Sequence, residues 1–173
     1  RCWINDGSGR FREISPLAIR QLSYSAMGVD FADINRDGHD DFFVVEMLSR
    51  NHARRLTQQG TIPGAKVGPG NFTHRPQSRR NCLYVARGDG TFAETAYFSG
   101  VAASEWSWSS IFLDVDLDGW EDILITNGFE FDTDGLDAQA LISRLGNLSV
   151  AQKRKTIFLF PPLDTPNVAF RNL

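Results

Sequence analysis

The chain has 173 residues, 42% hydrophobic and 12% aromatic, with a formal net charge of −3. That is one domain's length with enough apolar side chain for a core. It is too acidic for a general nucleic-acid binder and lacks the run of about 18 apolar residues that a membrane span needs. Thirteen Phe and four Trp against two Met favour a β-rich interior.

The first predicted element is an aromatic strand and turn, Trp3-Ile-Asn-Asp-Gly7-Ser-Gly9-Arg-Phe11. A second strand covers residues 26–32. It runs into Asp33-Ile-Asn35-Arg-Asp37-Gly38-His39-Asp-Asp41, and Phe42-Phe-Val-Val45 follows as a third strand. The next connection, residues 47–80, carries Arg50, Arg54, Arg55, Lys66, Arg75, Arg79 and Arg80 and no acid. Residues 47–56 read as a short helix. Residues 60–76, with four Gly and three Pro, read as an irregular excursion. The arginines are expected on a solvated loop folded over the sheet; the sharper alternative is a surface for an anionic polymer or an acidic partner.

The pattern then starts again. Tyr84-Val-Ala-Arg-Gly88-Asp-Gly90-Thr-Phe92 repeats the opening, and Asp114-Val-Asp116-Leu-Asp118-Gly119-Trp120-Glu-Asp122 repeats the acidic loop, both 81 residues on. Between them, Trp106 and Trp108 alternate onto one face, where packing between sheets is preferred to sugar stacking. Residues 129–166 form a second insertion. It is expected to hold a helix over 136–145, capped by Asp134 and ended by Gly146. A capping box at Ser149-Val-Ala-Gln152 opens another helix, which runs to Phe158 and is stopped by Pro161-Pro162. Glu130, Asp132, Asp134 and Asp137 are expected as a helix N-terminal charge cluster. Finally, Asn167-Val-Ala-Phe170-Arg-Asn172 matches the start of the second unit. The organisation is therefore residues 1–80, residues 81–166, and the first strand of a third unit in 167–173. Cys2 and Cys82 fall at neighbouring rather than equivalent repeat positions, so on strands they would face opposite ways and not pair. Asn71-Phe-Thr73 and Asn147-Leu-Ser149 have the form of glycosylation sequons.

Both acidic loops read D-x-[DN]-x-D-G-x-x-D. Crowding hard oxygen donors into nine residues is costly unless a cation neutralises them, and calcium takes six to eight oxygens in flexible geometry. The expected ligands are Asp33, Asn35, Asp37 and Asp41 in one loop and Asp114, Asp116, Asp118 and Asp122 in the other. His39 and Trp120 would add their backbone carbonyls. An EF-hand needs a bidentate Glu at position 12, where Val44 and Ile125 stand instead. The flanks also read as strands, so each loop is expected at the tip of a metal-closed β-hairpin. Three His and no H-E-x-x-H, G-x-S-x-G, P-loop or C-x-x-C pattern argue against an enzyme.

A repeat of this size cannot bury both faces alone; stacking in a solenoid or radially as propeller blades solves that. The fold expected is all-β with short helical insertions. It would be a partial β-propeller of two blades and the first strand of a third, cut from a longer ring. The two acidic loops, with Gly88-Asp-Gly-Thr-Phe92, resemble the FG-GAP/VCBS repeat family, the blades of integrin-alpha-like propellers. The stretch from Trp106 through Asn127-Gly128, with Pro166-Asn-Val-Ala-Phe-Arg-Asn172, looks like its secreted bacterial branch, often joined to ASPIC/UnbV-type domains. The resemblance implies seven blades, structural calcium at two sites on the ligands named, and an extracellular, cell-surface or periplasmic location. It also implies a role in adhesion, assembly or ligand binding, with a protein or glycan partner and the rest of the propeller or neighbouring subunits as contacts. The rival expectation is the accessory or catalytic propeller of a carbohydrate-active enzyme.

Overall fold

A computed structural model describes residues 2–58, 70–71 and 75–173. Most of the excursion over 60–76, including Lys66 and His74, lies outside the described residues, as do Phe72 and Thr73 of the first sequon.

The described chain is mostly β with a few short helices and no closed barrel. The hairpin of β1 (Trp3–Asn5) and β2 (Phe11–Glu13) opens it. The turn between them holds Gly7 and Gly9 at φ 83° and 85°, a left-handed conformation that glycine adopts without steric cost. Gly88 and Gly90 repeat it at 74° and 80°. A helical turn, α1 (Ser15–Ala18), and β3 (Leu22–Ser23) lead to β4 (Gly28–Ala32) and β5 (Asp41–Val45). The first insertion adds β6 (Met47–Leu48), α2 (His52–Thr57) and β7 (Gln77–Ser78). The expected helix over 47–56 therefore starts late, at His52. The Asn51 side chain caps it by accepting the Arg54 N–H, and β6 is drawn off to pair with β10 (Glu105–Leu113).

Two four-stranded antiparallel sheets carry the architecture. One orders β4, β5, β8 (Cys82–Ala86) and β9 (Phe92–Glu94); the other orders β12 (Val168–Phe170), β11 (Asp122–Asn127), β10 and β6. The first sheet draws β4 and β5 from before residue 81 and β8 and β9 from after it. The second draws β6 from the first unit, β10 and β11 from the second and β12 from the third, so sequence repeat and sheet are offset and neither sheet is built from one repeat alone. Equivalent asparagines stitch both: Asn81 Oδ1 accepts the Glu46 N–H and Asn167 Oδ1 accepts the Asn127 N–H, each at 2.8 Å.

The main core lies between the sheets. Strand alternation turns Phe43 and Val45 of β5 and Leu83 of β8 toward Ile123 and Ile125 of β11 and Val168 of β12. Phe42 and Tyr84 turn the other way, onto a smaller cluster with Ala18, Ile19 and Cys82. Both thiols are free. Cys2 packs against that same cluster; it precedes β1, so strand alternation does not turn it away from Cys82.

The two innermost strands, β4 and β10, run against each other. The Phe112 N–H donates to the Asp30 carboxylate at 2.7 Å. At Gly28 a Cβ would lie 2.9 Å from both the Ser109 Cα and the Trp108 carbonyl oxygen. Gly28→Ala should therefore force the sheets apart and cost about 1–3 kcal/mol, read as a lower urea midpoint at unchanged slope.

The insertions bind each other. The arginines expected in solvent are engaged. Arg54 bridges Glu105 and Asp132, Arg79 meets Asp134, and Arg80 is buried against Glu94. Asp134 does not cap α3 (Leu136–Arg144), whose N-cap is Gly135. Burial pushes the Asp134 carboxyl up, and the nearby Arg79 opposes that shift. The capping box at Ser149 and Gln152 forms at the start of α4 (Val150–Lys155), and a 3-10 turn follows over Thr156–Leu159. On β10 the register shifts between Ser107 and Ser109. Trp106 is buried and stacks on Phe129 at 5.0 Å, while Trp108 is 41% exposed.

Candidate metal centre

The two acidic loops connect β4 to β5 and β10 to β11, so each is a hairpin tip, as expected, and no helix leads into either. They share a backbone solution. Position 4 is left-handed in both, with Arg36 at φ 58° and Leu117 at φ 59°; position 6 is Gly38 at 85° and Gly119 at 92°. A non-glycine residue adopts that region only under constraint, and the constraint is the first aspartate. Asp33 accepts the N–H groups of Asp37 and Gly38 at 3.0 and 2.8 Å. Asp114 accepts those of Asp118 and Gly119 at 3.0 and 2.9 Å. At position 5, Asp37 accepts the His39 N–H and Asp118 the Trp120 N–H, at 2.9 and 3.0 Å. That bond is the first cause of the depressed Asp118 pKa, with Arg171 assisting.

Position 9 is different. Asp41 is fully buried and Asp122 nearly so. Asp41 spends one oxygen on the Ile34 N–H at 3.2 Å and the other on the Ala86 N–H of β8 at 2.7 Å. Asp122 does the same with Val115 at 3.2 Å and Asn172 at 2.9 Å. Each pins its own loop to the neighbouring strand of the sheet. Burial pushes the Asp41 carboxyl up, and the charges of Asp37 and Asp33 add to that push.

Position 3 separates the loops. Asn35 accepts the Asp37 N–H at 3.1 Å and donates its own amide to Asp37 at 2.9 Å. In the second loop Asp114, Asp116 and Asp118 each bring a carboxylate oxygen within 4.8 Å of the others. A cation already sits there: Arg171 contacts Asp116 at 2.6 Å and Asp118 at 3.0 Å. The donor set is all oxygen, and the guanidinium stands in for a positive charge, so these residues fit a hard divalent ion. The first loop matches it in backbone geometry with one carboxylate fewer.

The two tips touch. The Arg36 guanidinium lies 4.5 Å from the centre of the Trp120 ring, a cation–π distance. The Asn172 side chain donates to the Ile34 carbonyl at 3.0 Å. The His39 imidazole rests near the Gly88 turn, where a Cβ would meet its Nε2 at 2.9 Å. Arg36, Arg171 and Asn172 carry no signal as site residues in the sequence. Only the repeat offers one: Asn172 and Ala86 do the same work for Asp122 and Asp41.

Compared with known families, residues 1–44 match the FG-GAP-like repeat, which takes in β1 through most of β5 and the whole first loop. No curated protein and no solved structure matches the chain significantly.

Proposed function

From a chain whose first 44 residues match the FG-GAP-like repeat, we propose a calcium-stabilised segment of a β-propeller, belonging to an exported adhesion, assembly or ligand-binding protein. The observation that carries this reading is the pair of hairpin tips. They share one pattern of backbone N–H groups around Asp33 and Asp114 and lie in contact through Arg36 and Trp120, and the second gathers three carboxylates that call for a counter-charge. Asp33, Asn35, Asp37, Asp114, Asp116 and Asp118 supply side-chain oxygens, the His39 and Trp120 carbonyls complete the set, and Asp41 and Asp122 anchor it from beneath. Calcium there would be structural: it supplies charge neutralisation, and the tips it stiffens present the rim surface to a protein or glycan.

The propeller reading draws support from an open face. Phe112, the repeat equivalent of Phe31, packs on the core between the two sheets. Phe31 itself is 59% exposed on a groove of about 840 Å³ lined by Val29, Phe42, Val44, Tyr84 and Phe92. By that equivalence the groove is the seat of another sheet, from the rest of the propeller or a neighbouring subunit. An extracellular, cell-surface or periplasmic setting suits sites of roughly 10⁻⁴–10⁻³ M affinity. A binding role is preferred to catalysis because Glu105, the carboxylate beside Trp106, is held by Arg54 and Ser49.

The test is thermal unfolding. With about 10 mM calcium over sites of that affinity, two sites add roughly 3–5 kcal/mol, or about 10 °C in Tm for a chain of this length. Chelator should return the transition to its starting point, and Asp37→Ala and Asp118→Ala should each remove one equivalent of calcium by calorimetry. An unmoved Tm and flat titrations would refute the reading.

A further inference from the structure

We propose that Arg171 is a built-in counter-ion of the second loop, competing with calcium for Asp116 and Asp118 and setting that site apart in affinity from the first. The inference rests on the calcium reading above and concerns how one of its sites is regulated.

The argument begins with charge. At positions 1, 3, 5 and 9 the second loop places Asp114, Asp116, Asp118 and Asp122, while the first has three carboxylates and the Asn35 amide there. Each loop offsets its own repulsion differently. In the first, Asn35 donates an N–H to Asp37. Asp116 carries no donor to repeat this, and the guanidinium of Arg171 takes over both carboxylates. The repeat shows that this is an addition and not a shared feature. Asn172 and Ala86 give their N–H groups to equivalent aspartates, so the residues before them, Arg171 and Val85, occupy equivalent positions. Val85 packs on the core between the sheets; Arg171 turns to the loop and contacts Asp116 and Asp118.

The oxygens explain why arginine and ion compete. One oxygen of Asp118 already accepts the Trp120 N–H. Its other oxygen is the one that Arg171 holds. Both oxygens of Asp114 accept backbone N–H groups. An ion drawing on Asp116 and Asp118 therefore meets a guanidinium on the oxygens least committed elsewhere. The Arg171 side chain is 57% exposed, so water and salt screen the contact and its release is cheap. A weak, always-present competitor of this kind lowers affinity modestly without abolishing it, and it offsets part of the loop's negative charge when no ion is bound.

The test uses calorimetric calcium titration in an Asp37→Ala background, which silences the first loop. Replacing Arg171 by Ala there should tighten binding roughly two- to fivefold, the range for an exposed pair. Arg171→Lys keeps the charge without the planar fork and should fall between. In the unaltered chain, the Arg171 Nε–H resonance should be protected from exchange in chelator and lose that protection as calcium is added. Equal or weaker binding in Arg171→Ala, with an Nε–H signal indifferent to calcium, would overturn the competition and leave the calcium site standing. Absence of binding heat in every variant would instead overturn the calcium reading, and this inference with it.

Discussion

Asp41→Ala should unfold at a markedly lower urea concentration than the parent chain, even with every divalent ion chelated. The side chain is fully buried, and its two oxygens take the N–H groups of Ile34 and Ala86. Truncation leaves both half-buried donors without the fully buried carboxylate that they point to. Bonds to a charged acceptor are worth about 1.5–3 kcal/mol each, and an orphaned buried donor costs about 1–3 kcal/mol. After allowance for relief of the buried charge, a net loss of about 3–5 kcal/mol follows. Asp41→Asn should fall between, since its single carbonyl oxygen serves one donor while its NH₂ confronts the other. Asp37 is the control: it is exposed, and its two oxygens accept only from its own loop, from the His39 N–H and the Asn35 amide. Its removal should leave chelated stability nearly unchanged and cost only the first loop's share of the calcium-dependent stabilisation proposed above. If Asp37→Ala and Asp41→Ala lowered the chelated urea midpoint equally, the division between ligand and anchor would be wrong.

That division shows what the residue pattern could and could not convey. Carboxylates at positions 1, 3, 5 and 9, with the Asn35 amide in place of one, are visible in the string, and so is the glycine at 6. Both hairpins follow, because β-branched and aromatic flanks fit strands and not helices. The pattern treats the four acids as equals. Burial makes them unequal, and burial depends on where β8 and β12 pass, which the loop sequence does not encode. Arg171 was invisible for a related reason: its partners lie some fifty residues earlier, and only the pairing of β11 with β12 brings them together. The helices divide the same way. Ser149 and Gln152 form their capping box because a capping box is local. Asp134 fails to cap because a distant arginine claims it. A charge run with no acid among residues 47–80 reads as solvated only while its counter-charges, Glu94, Glu105, Asp132 and Asp134, are considered separately.

Those counter-charges make Arg54 the most consequential cation among the described residues. Its Nη1 donates to Glu105 at 2.8 Å, and its Nε and Nη2 fork onto Asp132 at 2.8 and 3.2 Å. All three side chains are largely out of solvent, at 17%, 13% and 11% exposed. Glu105 is further constrained: it sits at φ 76° and accepts from Ser49 and the Arg50 N–H. One guanidinium therefore ties the first insertion to the second and to the start of β10. Arg54→Ala leaves two carboxylates desolvated without their cation, which should cost about 3–5 kcal/mol. Arg55 is the matched control, on the same helix with the same charge; its Nε donates to the neutral Ser49 carbonyl at 2.7 Å. Its loss should cost about 1 kcal/mol. Adding Asp132→Ala to Arg54→Ala should recover part of the deficit, because one uncompensated carboxylate goes with it. Equal urea midpoints for Arg54→Ala and Arg55→Ala would mean that the clamp contributes nothing beyond an ordinary surface arginine. The same variant tests whether Arg54 serves an anionic polymer. A largely buried guanidinium whose charge is already met by Glu105 and Asp132 has little to offer one, so heparin retention should be the same with and without Arg54.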